Sequence, residues 1–157
     1  MERKYNIVLF DGFCNLCNGF VQFIIKRDRE KKFIFASIQS TKGQSLLKQY
    51  CLQTDYLDTI VYIKGHTFTI KSSAVLNVLK NLDGVWKLFF VLIIIPKFFR
   101  DFVYKIISKK RYKLFGRSDN CMVPSPDIKN RFLEWKLLKA IKQLLVLIRI
   151  QNSWNKF

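Results

Sequence analysis

The strongest constraint on the fold is a change of period within residues 7–24, IVLFDGFCNLCNGFVQFI. A β-rich run, Asn6–Phe10, ends at the turn formed by Asp11, Gly12 and Phe13. From Asn15 onward the apolar residues Leu16, Phe20, Phe23 and Ile24 fall at helical spacing, with Val21 and Ile25 widening the face. A strand that turns directly into a broadly covered helix opens an α/β layer, and it carries Cys14 and Cys17 to the carboxyl edge of a sheet.

The elements that follow fit that opening. A charged patch at 26–32 ends the first helix, and a strand at 33–37 and a helix at 43–52 come next, with Cys51 read as a small hydrophobe inside that helix. A right-handed crossover would make the first two strands parallel. Strands at 59–63 and 67–70, joined by Lys64, Gly65 and His66, read as a hairpin, and a helix begins near Ser72. The order β-α-β-α-β-β-α fits a four-stranded mixed sheet with helices on both faces. Beyond Gly84 the pattern is helical over 86–95, breaks at Pro96 and resumes over 98–110, before a turn-rich loop at 116–126 that contains Cys121. This predicts a domain over 1–126, late helices included, and a basic amphipathic helical extension over 127–157.

Half of the 157 residues are apolar and fifteen are Phe, ample for a core. Lys and Arg number 28 against 11 Asp and Glu, a formal charge of +17 that favours anionic partners, although much of such an excess is ordinarily a solvated surface. The first residues offer only 7–10 as an apolar run, too short for a secretory h-region, and 88–95 falls short of the ~20 residues that span a bilayer. The expected setting is the reducing cytosol, where a close cysteine pair is more often catalytic or metal-binding than structural.

A C-x-x-C at the first turn of a helix has a physical use. Cys14 lies near the unpaired N–H groups and the positive end of the helix dipole, which stabilise a thiolate. One turn on, Cys17 is within reach to resolve a mixed disulfide. Rival readings are a zinc site built from Cys14, Cys17, Cys51 and Cys121, whose spacing lacks a second close pair, and four purely structural cysteines. No phosphate-binding glycine loop is present, and the single His66 leaves no base for a hydrolytic triad. No cofactor or metal is expected.

The run DGFCNLC followed by NGFVQFI resembles the D-G-x-C-x-L-C signature of the DCC family of thioredoxin-like thiol-disulfide oxidoreductases. Arg100-Asp101 with Tyr104, then Arg111-Tyr112, Phe115-Gly116 and Cys121, are similar to that family's later pattern, so the likeness runs from Tyr5 to Pro124. The resemblance implies a thioredoxin-like fold and disulfide reduction or exchange, with Cys14 as nucleophile and Cys17 as resolving thiol. Asn15-Leu16 stands where thioredoxin has Gly-Pro between the cysteines. Asp58 occupies the position comparable to the cis-proline of thioredoxin-like proteins, and a carboxylate close to Cys14 would oppose its ionisation.

Supporting residues follow from the turn. Asp11 reads either as a proton acceptor for the cysteine pair or as a turn residue accepting backbone N–H bonds; Gly12 permits the turn, and Leu16 is core with its backbone near substrate. Cys121 is a third redox thiol or a loop cysteine. Segment 108–117, with five basic residues, is expected to close the domain rather than bind a nucleic acid. The expected partner is a protein or small molecule containing a disulfide. In the tail, Leu137, Leu138, Ile141, Leu144, Leu145 and Ile148 share a helical face that is expected to pack on 86–99, or else to make a peripheral membrane contact. Oligomeric state is not legible. The competing functional reading is a redox-inactive thioredoxin-like adaptor on an anionic membrane surface.

Overall fold

The computed structural model describes residues 6–52, 59–119 and 124–134. Its elements are β1 (Asn6–Phe10), α1 (Asn15–Arg27), β2 (Phe33–Ser37), α2 (Thr41–Gln49), β3 (Val61–Lys64), β4 (Thr67–Ile70), α3 (Lys71–Asn81) and α4 (Lys97–Phe115), with a 3-10 helix at Val85–Ile94 and a single 3-10 turn at Lys129–Arg131. The sheet order is β2-β1-β3-β4; β1 runs parallel to β2 and antiparallel to β3, and β3 pairs antiparallel with β4. This is a thioredoxin-like fold.

Alternation along the strands builds two cores. Val8, Phe10, Phe33, Phe35 and Tyr62 face α1 and α3, where Val21, Ile24, Ala74 and Val78 meet them. Leu9, Ala36, Val61 and Ile63 point the other way, onto Leu47 of α2. Gly43 lets α2 approach the end of β2, since a Cβ there would lie 2.0 Å from the Ser37 carbonyl oxygen. β2 is one edge of the sheet, yet all five of its residues are buried. Phe132 bridges Phe35 in parallel and sets its ring, tilted by 43°, 5.8 Å from that of Phe35, covering the edge that would otherwise invite pairing with another chain.

An ion pair fixes that cover. Buried Asp28, just past α1, accepts hydrogen bonds from the amides of Lys32 (3.0 Å) and Phe33 (2.9 Å) and pairs with Arg131, whose Nε donates to the Phe33 carbonyl at 3.0 Å. Residues 128–133 therefore pack on the domain itself, beyond the boundary expected at 126.

Three expectations need correction. α2 starts at Thr41 because the Ser40 hydroxyl accepts the Gly43 amide, and it ends at Gln49; Cys51 lies past the helix, exposed, with φ 53°, and is no core hydrophobe. The segment expected to be helical over 86–95 is a 3-10 helix with no buried residue. α4 continues five residues past 110, to the left-handed Gly116 (φ 80°), because no breaker intervenes; this places Arg111 and Tyr112 on a helix.

Candidate redox site

The site forms where β1 gives way to α1. Cys14 is the N-cap of α1, in extended conformation, and its Sγ accepts the backbone N–H of Cys17 at 3.4 Å. A sulfur so placed takes one of the orphan donors of the helix start and sits at the positive end of the dipole. Cys14 is fully buried and Cys17 is 8 % exposed.

The cover over Cys14 is a strap of chain just after α4. Arg117 forms an antiparallel bridge with Cys14, the Ser118 amide donates to the Phe13 carbonyl at 2.9 Å, and the Asn15 side-chain amide donates to the Phe115 carbonyl at 3.1 Å. Residues 115–118 thus lie against the Phe13–Asn15 backbone over Cys14, with Gly116 at φ 80°.

Asp11 ties the turn before Cys14 to α4. Its Oδ1 accepts the Phe13 amide (3.0 Å) and the Gln39 side-chain amide (2.8 Å), and its Oδ2 accepts Arg111 (2.9 Å) and the Tyr112 hydroxyl. The Phe13 bond is an Asx turn, the structural reading of Asp11. The ion pair with Arg111 is new, and both side chains are only 3 % exposed. Gly12 has no left-handed φ; it is buried, its amide donating to Gln39 Oε1 and its carbonyl accepting from Asn18. Leu16 is half-buried against the α1 core. Farther along α4, the Tyr104 hydroxyl accepts the Ile60 amide at 3.0 Å and tethers the helix to the start of β3.

This environment splits the two thiols. Cys14 is lowered from 9.0 to about 6, chiefly because the Cys17 thiol hydrogen-bonds to its sulfur; the Cys17 amide and the Arg111 guanidinium act in the same direction, while burial and the Asp11 carboxylate oppose them. Cys17 moves up, because its proton is held by Cys14, it is buried, and it faces the Cys14 charge. The two thiols titrate as a pair, one proton leaving below the ordinary thiol range and the other above it. A nucleophilic sulfur at neutral pH and a proton-bearing neighbour one turn away are the two halves of disulfide exchange.

Asp58 and Cys121 lie outside the described residues. Gln39 is a site residue that sequence reasoning left out, and Arg111 and Tyr112, expected only to close the domain, belong to the site as well. Arg111 sits in a run of lysines, and nothing in the run marks it as the one turned inward; the resemblance of Arg111-Tyr112 to the family's later pattern is the only signal. No group of three or more His, Cys, Asp or Glu among the described residues could hold a metal ion.

A four-stranded mixed sheet with a C-x-x-C pair at the entrance to its first helix places the chain among thioredoxin-like proteins carrying a dithiol. More narrowly, it belongs to the DCC1-like thiol-disulfide oxidoreductase family, whose model matches residues 8–117. It is 52 % identical over 127 residues to the uncharacterized protein YuxK of Bacillus subtilis (strain 168), an alignment covering 81 % of this chain and 93 % of YuxK. It is 41 % identical over 121 residues to a chloroplastic DCC family protein of Arabidopsis thaliana, covering 76 % of this chain and 70 % of the plant protein. No solved structure matches.

Proposed function

We propose that the protein reduces or exchanges disulfides, with Cys14 as the attacking thiolate and Cys17 as the resolving thiol. The observation that carries this reading is the placement of Cys14 Sγ on the Cys17 amide at the helix start, 3.4 Å away, where the Cys17 thiol above all, then the Cys17 amide and Arg111, lower its pKa.

In the forward direction the Cys14 thiolate attacks one sulfur of the substrate disulfide. The substrate S–S bond breaks, its other sulfur leaves as a thiolate that takes a proton from water, and a Cys14–substrate mixed disulfide remains. Cys17 then loses its proton and attacks Cys14 Sγ, forming the Cys14–Cys17 disulfide and releasing the second substrate thiolate. The substrate gains two electrons and the protein loses two, which an external thiol or dithiol reductant restores. Because residues 115–118 cover Cys14, the strap swings aside to admit substrate. A reducing compartment suits this cycle: the cytosol in the first instance, or a chloroplast, as in the plant relative's name.

The complete burial of Cys14 also favours a second reading, a redox-inactive adaptor whose cysteines are core. Insulin reduction in the presence of dithiothreitol separates the two. The wild type should accelerate insulin precipitation, Cys14→Ser should abolish the acceleration, and Cys17→Ser should accumulate a mixed disulfide through Cys14. Equal rates with and without wild-type protein would leave the adaptor.

A further inference from the structure

α4 is built inside out. The residues it turns to the domain are polar: Asp101 to the Ser72 hydroxyl, Tyr104 to Thr59 and Ile60, Arg111 and Tyr112 to Asp11. They recur at helical spacing and so hold one face of the helix. Its large apolar residues point away and are exposed, Phe98, Phe102 and Leu114 by 63–67 %. The preceding 3-10 helix continues this surface, with Leu88 73 % and Ile94 78 % exposed. Among the described residues, every large exposed hydrophobic except Phe68 lies between Val85 and Phe115. A patch of this extent marks an interaction surface rather than scattered surface apolarity.

Its charge selects the occupant. Between residues 85 and 115 there are eight Lys and Arg, and the only acidic residue is Asp101, which Ser72 already engages. Lys87, Lys97, Lys105, Lys109, Lys110 and Lys113 are exposed among the hydrophobics. The segment of this chain expected to cover the patch, 135–157, carries five Lys and Arg and no acidic residue, so like charges would meet. A second copy would bring the same lysines against themselves. An anionic bilayer surface suits both features, accepting apolar side chains below its headgroups and basic side chains among them. No helix among the described residues is long and apolar enough to cross a membrane, so such a contact lies along the surface.

We infer that the face formed by the 3-10 helix and α4 docks the protein on an anionic lipid surface. An apolar groove between α3 and this face, lined by Val75, Leu76, Leu92, Phe99 and Val103, gives it relief into which acyl chains fit. The inference is independent of the redox proposal, because lipid contact asks nothing of Cys14.

Full-length protein is mixed with vesicles of phosphatidylcholine, with or without phosphatidylglycerol, at low and high salt, and bound protein is measured by co-sedimentation. Binding to the anionic vesicles that weakens with salt is expected. The variant L88E/I94E/F98E, altered only at well-exposed positions, should lose about tenfold or more of that binding while keeping its circular dichroism spectrum and insulin reductase rate. Cys14→Ser should bind like wild type, so that a failed redox reading leaves this test intact. Absence of binding to anionic vesicles, or equal binding by the triple variant, overturns the inference. So does loss of binding in L137E/L144E alone, which assigns the contact to the tail, and so does a dimer without vesicle binding that the triple variant splits, which assigns the face to a second copy.

Discussion

Replacing Arg111 with Met tests whether the buried ion pair holds the site together and tunes it. Met keeps much of the bulk and removes the charge, leaving the Asp11 carboxylate at 3 % exposure with the Phe13 amide, Gln39 and Tyr112 as donors. Breaking one side of a buried pair costs about 3–5 kcal/mol, and the three surviving donors place this case near the lower end. At a urea slope of about 2 kcal/mol/M for a chain of this size, the midpoint should fall by about 1.5 M. Asp11→Asn strands the guanidinium instead and should cost a similar amount. The double variant, with no charge left uncompensated, should recover about half of the summed losses. The tuning gives a second readout that packing alone would not move. Arg111 lowers the Cys14 pKa and Asp11 raises it, so Arg111→Met should shift the thiolate titration, followed by absorbance at 240 nm, upward from about 6, and Asp11→Asn should shift it downward. A midpoint loss below about 0.3 M in Arg111→Met, or pKa shifts of the same sign in both variants, would refute the clamp.

Other consequences are independent of that pair. With Cys14 lowered to about 6 and its thiolate the reactive form, the rate of disulfide attack should rise as pH increases through 6 and level off above about 7, where a thiol left at 9.0 would still be climbing; stopped-flow reaction with a chromogenic disulfide reads the profile. Gly116→Ala puts a Cβ at φ 80° and 3.1 Å from Asn15 Nδ2, loosening the strap at a cost of about 1 kcal/mol, so Cys14 should react faster with iodoacetamide at unchanged pKa; an unchanged or slower rate would deny the strap a covering role. Arg131→Met leaves Asp28 buried without its cation and frees the cover of β2, so urea stability should drop by about 3 kcal/mol and light scattering on storage should rise; a drop under about 0.5 kcal/mol would place residues 128–132 outside the cooperative unit.

The strands and the first helix were legible because their signals are local. Asn6–Phe10 and Phe33–Ser37 are short β-rich runs bounded by turn residues or charge, and the period switch after Phe13 placed Cys14 at a helix start. α4 was read short because the basic run 108–113 looks like a solvated end, and a single sequence cannot tell which of its cations turns inward. The direction of its apolar face was hidden for a related reason. A helical stripe predicts burial against the chain's own core, whereas here the polar residues meet the domain and the apolar ones are left outside. Cover over Cys14 is a contact between residues a hundred positions apart, Asn15 and Phe115, which no local pattern encodes.

The central claim, that Cys14 and Cys17 cycle between dithiol and disulfide, is tested most directly by redox titration. Native alkylation rates would mislead, since Cys51 is exposed and Cys14 buried. The protein is instead equilibrated across a series of glutathione ratios, quenched in acid, unfolded, alkylated and weighed. The account predicts that two alkylation sites disappear together in a single two-electron transition, with the lost thiols mapping to the peptide that holds Cys14 and Cys17. If both remain alkylatable at every ratio, or if the loss maps to Cys51, the dithiol is not a redox centre and the account is contradicted.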